Sequence, residues 1–190
     1  INSKFITMDL LKTNSIQKVL ILFVLIFLGT IALTFSAKLK IPFYPVPMTM
    51  QTFVVIFLGM AFGYKIALAT VSLYLFEGII GFPVFSNSPE KGVGLSYFTG
   101  PTMGYLVGFL VATFFSGLLN LNTNIFKIFL KLIISVSTIY MFGIFWLGTL
   151  IGWDKPIFQL GAAPFLLAEL FKITILTLLA KKIITLRKFI

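Results

Sequence analysis

The sequence predicts an all-α integral membrane protein with six transmembrane helices and both termini in the cytoplasm. Of its 190 residues, 59% are hydrophobic and 11% are charged, whereas soluble domains contain roughly 45–50% apolar and about 25% charged residues. So many apolar side chains exceed what the core of one small domain can bury, and the excess is expected to contact lipid. The composition therefore excludes an ordinary soluble globular protein.

Six apolar segments make up a single predicted membrane domain over residues 1–190. They cover residues 18–37, 50–63, 66–81, 101–121, 128–151 and 164–186. About 20 helical residues cross a hydrocarbon core of roughly 30 Å, and the first segment and the last three are long enough to do so. The second and third segments are shorter and are joined by Gly63, Tyr64 and Lys65. We therefore expect these two to form a tight helical hairpin.

Lysine and arginine are distributed unevenly between the two sides of this arrangement. With the N-terminus inside, one side carries ten cations: Lys4, Lys12, Lys18, Lys65, Lys127, Lys131, Lys181, Lys182, Arg187 and Lys188. The other side carries four: Lys38, Lys40, Lys91 and Lys155. The positive-inside rule then places both termini in the cytoplasm. Attraction to anionic lipid headgroups explains the basic run at the C-terminal end of the sequence. We therefore expect the lipid bilayer as a partner, and no nucleic acid.

The chain contains neither cysteine nor histidine. It therefore lacks disulfides, the most common metal ligands and the usual general base near neutral pH, and we expect no metal site. It also has no P-loop motif of the form Gly-x4-Gly-Lys-Ser/Thr and no recognisable pair of nucleophile and base. We therefore expect no catalytic residue, no cofactor and no enzyme activity.

Two of the predicted outer loops contain many residues that break helices. Residues 41–50 include Pro42, Pro45 and Pro47, whose fixed φ and missing N–H disfavour helix and favour extended backbone. Residues 81–100 contain two prolines and four glycines among serine and asparagine. A loop of that length is usually functional or disordered. We expect a stiff proline strap beside a loop with several turns.

Glu169 and Lys172 lie within the last apolar segment, where an ionised side chain costs at least about 2.5–3.5 kcal/mol on insertion scales. Because they are three residues apart, they share one face of a helix. Two interpretations remain open: a salt bridge that only lowers the insertion cost, and a pair that lines a polar cavity. A carboxylate beside an ammonium would suit a neutral urea or amide group. Glu77 is a further acid in an apolar segment, and either pairing with Lys172 or contact with outer water would satisfy it.

Small residues recur every four positions in the fourth apolar segment, at Gly100, Gly104, Gly108, Ala112 and Ser116. Such a stripe lets a second helix approach closely. Helix packing alone explains it, and the alternative adds a ligand at the free N–H groups of the helix start near Thr102.

Three motifs, in this order and spacing, resemble the BioY family. They are PVPMTMQT at residues 45–52, GFPVF at 81–85 and YFTGPTMGY at 97–105, and the likeness extends over about residues 20–180. That family comprises the biotin-specific S components of energy-coupling factor (ECF) transporters. The resemblance implies a six-helix S-component bundle in the cell membrane that captures biotin from outside and delivers it across the membrane. It also implies an ECF coupling subunit and a separate ATPase module as partners.

Members of that family typically carry Pro-Phe-Leu-x-x-Asp-x-x-Lys near the last helix, with the acid and the lysine contacting biotin. Residues 164–172 resemble this pattern with Glu169 in place of aspartate. On this interpretation the ligand-binding residues are Glu169, Lys172, Thr102, Tyr105, Tyr97, Asn87 and Gln51. Ala32 and Ser36 match the small-residue motif by which S components dock on the coupling subunit.

Two other functions stay open at this point. The chain could be an S component for a different vitamin, or a small membrane protein without a transport role. A homo-oligomer is also compatible with the sequence.

Overall fold

The computed structural model describes residues 15–42 and 44–189 and is mainly helical. In chain order the elements are α1 (Ser15–Lys38), β1 (Lys40–Ile41), β2 (Met48–Thr49), α2 (Gln51–Ile79), α3 (Leu95–Phe98), α4 (Met103–Gly117), α5 (Ile125–Ile151), α6 (Ile157–Gly161) and α7 (Leu166–Ile183). Short 3-10 helices at Ala163–Phe165 and Ile184–Phe189 flank α7. The predicted inner cations Lys4 and Lys12 lie outside the described residues.

Four helical stretches are long and apolar enough to cross a membrane: Ile16–Lys38, Gln51–Ile79, Ile125–Ile151 and Ile157–Arg187. The fourth predicted segment is shorter than expected, because α4 ends at Gly117 and has 15 residues. The all-α class and the multi-pass character are confirmed.

The predicted hairpin is present within α2. Gly63 has φ +74° and ψ 168°, a conformation that glycine adopts without steric penalty. The Gln51 side-chain amide donates a hydrogen bond of 2.8 Å to the Tyr74 hydroxyl, although a straight helix would separate these residues by about 35 Å. The two arms, residues 51–62 and 64–79, therefore run antiparallel.

The stripe of small residues on α4 forms close contacts between helices. A Cβ atom at Gly108 would lie 2.7 Å from the Cα of Ile139 on α5, and one at Gly104 would collide with Phe142 and Trp146. Ala112 and Ser116 on the same face are fully buried. Packing, the simpler of the two interpretations, is thus confirmed for these positions. Gly100 precedes the helix, and its carbonyl accepts a hydrogen bond of 2.8 Å from the Trp146 indole.

At the predicted outer end of the bundle, the proline-rich segment forms a strap rather than a helix. Strands β1 and β2 pair antiparallel, with Lys40 opposite Thr49 and Ile41 opposite Met48. The second structured loop, between α2 and α3, packs beside the strap. Lys38 donates from Nζ to the carbonyl oxygens of Phe85 and Ser88 at 2.8 and 2.7 Å. The end of α1 thereby fixes the loop against the strap.

At the predicted inner end of the bundle, Arg187 joins three parts of the chain. Its guanidinium donates to the carbonyl oxygens of Met60 at 2.9 Å, Gly59 at 3.4 Å and Gly117 at 3.3 Å. These carbonyls belong to the last turns of the first α2 arm and of α4, where a cation also interacts favourably with the helix dipole. The residue predicted only as a topology signal thus ties the helix ends together.

Candidate functional site: a cavity at the outer ends of the helices

A narrow cavity of about 50 Å³ lies between the strap, the loop and helices α2, α4, α5 and α7. Five of the seven predicted ligand-binding residues line it: Gln51, Tyr97, Thr102, Tyr105 and Glu169. The structure therefore brings together residues that are up to 118 positions apart in the chain. Lys172 and Asn87, the other two, are not among the lining residues.

Glu169 provides the charged group of the cavity wall. It lies in the first turn of α7, where the helix dipole favours an anion, and only 4% of its surface is exposed. Its Oε1 accepts hydrogen bonds of 2.8 Å from both the Thr52 hydroxyl and the Lys172 ammonium. Its Oε2 is buried and has no hydrogen-bond partner among the described residues, although the neighbouring Tyr140 side chain interacts electrostatically with this carboxylate. A buried acceptor without a donor costs about 1–3 kcal/mol, so Oε2 is the atom that a ligand N–H would satisfy.

Lys172 lies behind Glu169 and is buried to a similar extent, with 5% of its surface exposed. Its ammonium donates to the Thr49 carbonyl at 2.7 Å, the Thr52 hydroxyl at 3.0 Å and Glu169 Oε1 at 2.8 Å. A lysine ammonium has three N–H donors, and all three are used here. The salt bridge of the first interpretation is therefore present, and only its acidic member faces the cavity. We expected both members to face a ligand.

Thr52 completes this polar network, and the sequence analysis did not include it. Its hydroxyl donates to Glu169 and accepts from Lys172, so one side chain connects the first arm of α2 to both charged residues of α7. The Thr49 carbonyl at the end of the strap is the fourth member. The sequence offered a weak signal for both: two threonines beside Gln51 at the start of an apolar segment.

Aromatic rings form two more walls of the cavity. The Tyr105 hydroxyl donates to the Gly161 carbonyl at 2.7 Å, and its ring meets the Tyr140 ring edge to face at a centroid distance of 6.0 Å. Tyr140 in turn lies against Phe165, with centroids 6.3 Å apart. Thr102, the residue before α4, adds a hydroxyl-bearing side chain to the lining of the cavity. Tyr140 and Phe165 were absent from the predicted set.

The opposite wall depends on Phe85 and Tyr97. Their rings stack at a centroid distance of 4.7 Å, and the Tyr97 hydroxyl lies 3.2 Å from the Ser86 hydroxyl. Gln51 supports this wall through Tyr74. Gln51 donates to the Tyr74 hydroxyl, and that hydroxyl donates to the Val84 carbonyl at 3.1 Å. Gln51 thus fixes the loop to the hairpin as well as lining the cavity.

Asn87 does not line the cavity. Its side-chain oxygen accepts a hydrogen bond of 3.0 Å from the Lys40 ammonium. The neighbouring Ser86 lines the cavity instead, so the loop contributes a residue one position before the predicted one.

Glu77 and the predicted docking residues lie elsewhere. The Glu77 carboxylate accepts a hydrogen bond of 3.1 Å from the Thr30 hydroxyl on α1, so the suggested pairing with Lys172 is wrong. Ala32 is exposed, whereas Ser36 is 3% exposed and donates to the Leu33 carbonyl of its own helix. Docking through Ala32 and Ser36 stays a prediction. Within residues 15–42 and 44–189, no cluster of three or more acidic side chains is placed to hold a metal ion.

The geometry suits a small, largely apolar molecule that carries N–H donors at one end. The unpartnered carboxylate oxygen would accept those donors, and the aromatic walls would enclose a flat or compact ring. A hydrogen-bond acceptor set among apolar and aromatic side chains is the usual composition of a ligand-binding site.

Comparison of the sequence with known proteins identifies its family. The sequence profile of the BioY family matches residues 6–189. Similar proteins include "Probable biotin transporter BioY" of Pyrococcus horikoshii, 31% identical over 78% of this chain and 86% of that protein. "Biotin transporter BioY" of Thermotoga maritima is 32% identical over 81% of this chain and 90% of its own length.

Among solved structures, the chain resembles the S-component for biotin from an ECF-type ABC transporter. That likeness has a TM-score of 0.75 at 21% identity and covers 90% of this chain and 93% of the other. It shows that the bundle has the S-component fold. The family profile covers nearly the whole sequence, and the relatives match most of it at about one residue in three. The chain belongs to the BioY family.

Proposed function

We propose that this chain is the substrate-binding subunit of a biotin transporter in the cell membrane. It captures biotin from the outside and delivers it across the membrane, energised by a separate ATPase module through a coupling subunit. The relatives named as biotin transporters support this proposal. The observation that carries it is the buried Glu169 Oε2, which lines the cavity without a hydrogen-bond donor.

Biotin's ureido ring offers two N–H groups that point to opposite sides of the ring, and the proposal assigns one of them to Oε2 of Glu169. A hydrogen bond to a charged group contributes about 1.5–3 kcal/mol. Lys172 and Thr52 both donate to Oε1, so they hold the carboxylate in place and leave Oε2 for the ligand. Lys172 is therefore a positioning residue for the ligand acceptor.

The bicyclic ring of biotin would lie between the aromatic walls. Tyr105 and Tyr140 line one side and Phe85 with Tyr97 the other. Sites for organic ligands usually enclose about 300–1,000 Å³, against about 50 Å³ here. Binding of biotin therefore requires the walls of the cavity to separate. The strap and the loop are the segments proposed to move, because they lie outside the main helices.

Helix α1 supplies the surface for the coupling subunit in this proposal. Only 22% of the residues in its most apolar stretch are buried against the rest of the chain. Most of the length of α1 is therefore accessible from the bilayer. Ala32 lies on that accessible surface, and a small residue there lets a second helix approach closely.

The test is equilibrium binding of biotin to the purified protein in nanodiscs, with an analogue that lacks the ureido ring as control. We expect saturable binding in the nanomolar range, on the order of −12 kcal/mol, and its loss for the analogue. Folded protein that binds a different vitamin, and not biotin, would replace this proposal with an S component of other specificity. Folded protein that binds no vitamin would overturn the transport function.

A further inference from the structure

The mouth of the cavity carries a cation that the salt bridge at Glu169 does not involve. Lys40 lies on β1, directly opposite Thr49 of β2, and Thr49 lines the cavity. The Lys40 ammonium donates to the Ser86 carbonyl at 2.8 Å and to the Asn87 side chain at 3.0 Å. Lys40 is not itself a lining residue, but Ser86 lines the cavity as Thr49 does, so this ammonium links the strap and the loop beside the cavity, at what we call its mouth.

The charge of Lys40 has no acidic partner in this position. Its two acceptors, a carbonyl and an amide oxygen, are neutral, and the ion pair between Glu169 and Lys172 is the sole one within 4 Å across residues 15–42 and 44–189. An ammonium has three N–H donors, so one N–H of Lys40 is available to a further acceptor. Lys38 differs, because the nearby Glu90 interacts electrostatically with it.

The two ends of the cavity are therefore of opposite character. Glu169 presents an acceptor at the inner end, and Lys40 presents a positive charge at the mouth. The Thr49 segment connects them, since its carbonyl accepts from Lys172 while its backbone pairs with that of Lys40. A ligand that fits both ends has N–H donors at one end and an anion at the other.

We propose that Lys40 binds the carboxylate of the ligand at the mouth of the cavity and so selects for acidic ligands. This inference rests on the proposed function, in which biotin supplies a ureido donor to Glu169. The carboxylate of biotin's side chain accepts the third N–H of Lys40 and lies against the strap and the loop. Lys38 holds the loop in place for that contact through Phe85 and Ser88.

The test compares biotin with biotinamide, which is uncharged at the same position, on the wild-type protein and on Lys40→Gln. At about 50 mM salt we expect the wild type to prefer biotin about fivefold, the upper end for an exposed ion pair. Lys40→Gln removes that preference by weakening biotin alone, and Lys40→Arg, which keeps the charge, retains it. About 1 M salt reduces the wild-type preference by screening.

Lys155→Gln is the matched control, because it removes the same charge from another exposed lysine of the predicted outer side. We expect it to leave the preference for biotin unchanged. Equal weakening of biotin and biotinamide by Lys40→Gln would overturn the inference and assign Lys40 to loop fixation alone. A wild-type protein that binds both ligands equally would also overturn it while leaving the proposed function intact. Absence of biotin binding to the wild type would instead overturn the proposed function.

Discussion

Glu169 and Glu77 are both acids inside apolar helices, yet the structure gives them different surroundings. Glu169 is almost fully buried, is paired with the Lys172 ammonium and retains an oxygen without a donor at the cavity wall. Glu77 is half-buried between α1 and α2, and its described contact is one hydrogen bond from Thr30. In the proposed function, Glu169 is the ligand acceptor because a neighbouring cation pairs with it and one of its oxygens lies at the cavity wall. Glu77 lacks those features and serves as a contact between helices.

Removing the cation from the first site should have the largest effect. We expect Lys172→Met to reduce the free energy of unfolding by about 3–5 kcal/mol, because it leaves a buried carboxylate without its partner. Thermal unfolding in detergent measures this loss. The double variant Glu169→Gln/Lys172→Met removes both charges and should recover much of the stability but not biotin binding. A single variant as stable as the wild type would show that the pair is not buried as described.

Neutralising the carboxylate itself should weaken biotin binding, in addition to the loss of stability expected because the buried Lys172 ammonium then lacks its partner. Glu169→Gln replaces a charged acceptor by an amide, and the loss of about 2.7 kcal/mol corresponds to about 100-fold weaker biotin binding. Isothermal titration on purified protein measures the affinity. Glu77→Gln is the matched control, since it makes the same change at the other acid and should bind biotin like the wild type. Comparable losses in both variants would remove the distinction between the two sites.

The sequence predicted those features that depend on local pattern. The hairpin follows from two short apolar segments around Gly63, the strap from three prolines, and the Glu169–Lys172 pair from their spacing of three on one helix. Gln51, Tyr97, Thr102 and Tyr105 were found through motif order, and they line the cavity.

Contacts between distant elements were not predictable in the same way. Thr52 meets Glu169 across 117 positions and Thr30 meets Glu77 across 47, and neither periodicity nor spacing determines which helix faces meet. The use of all three Lys172 donors and the turn of Asn87 toward Lys40 likewise depend on tertiary packing.

Thr52 tests whether the network around Glu169, rather than the carboxylate alone, defines the site. Thr52→Val keeps the side-chain shape and removes the hydroxyl that joins Glu169 to Lys172, so we expect a loss of about 1–2 kcal/mol in stability and roughly tenfold weaker biotin binding. Thermal unfolding and titration on the same sample measure both. Thr113→Val is a close control, because Thr113 is also fully buried but its hydroxyl has no hydrogen-bond partner. Equal effects of the two substitutions would mean that the loss reflects packing and not the network.

The smallest effect is expected at the contact between Glu77 and Thr30. Hydrogen bonds between membrane helices contribute about 0.6 kcal/mol on average in double-mutant cycles, and here a single bond of 3.1 Å joins α1 to α2. A cycle of Glu77→Gln, Thr30→Val and the double variant should therefore give a coupling energy of that order, with biotin affinity unchanged throughout. A loss of biotin binding in any of the three would place Glu77 in communication with the cavity and erase the contrast with Glu169. The same cycle measured in nanodiscs also shows how much this one bond adds to the attachment of α1, which the Lys38 hydrogen bonds to Phe85 and Ser88 also support.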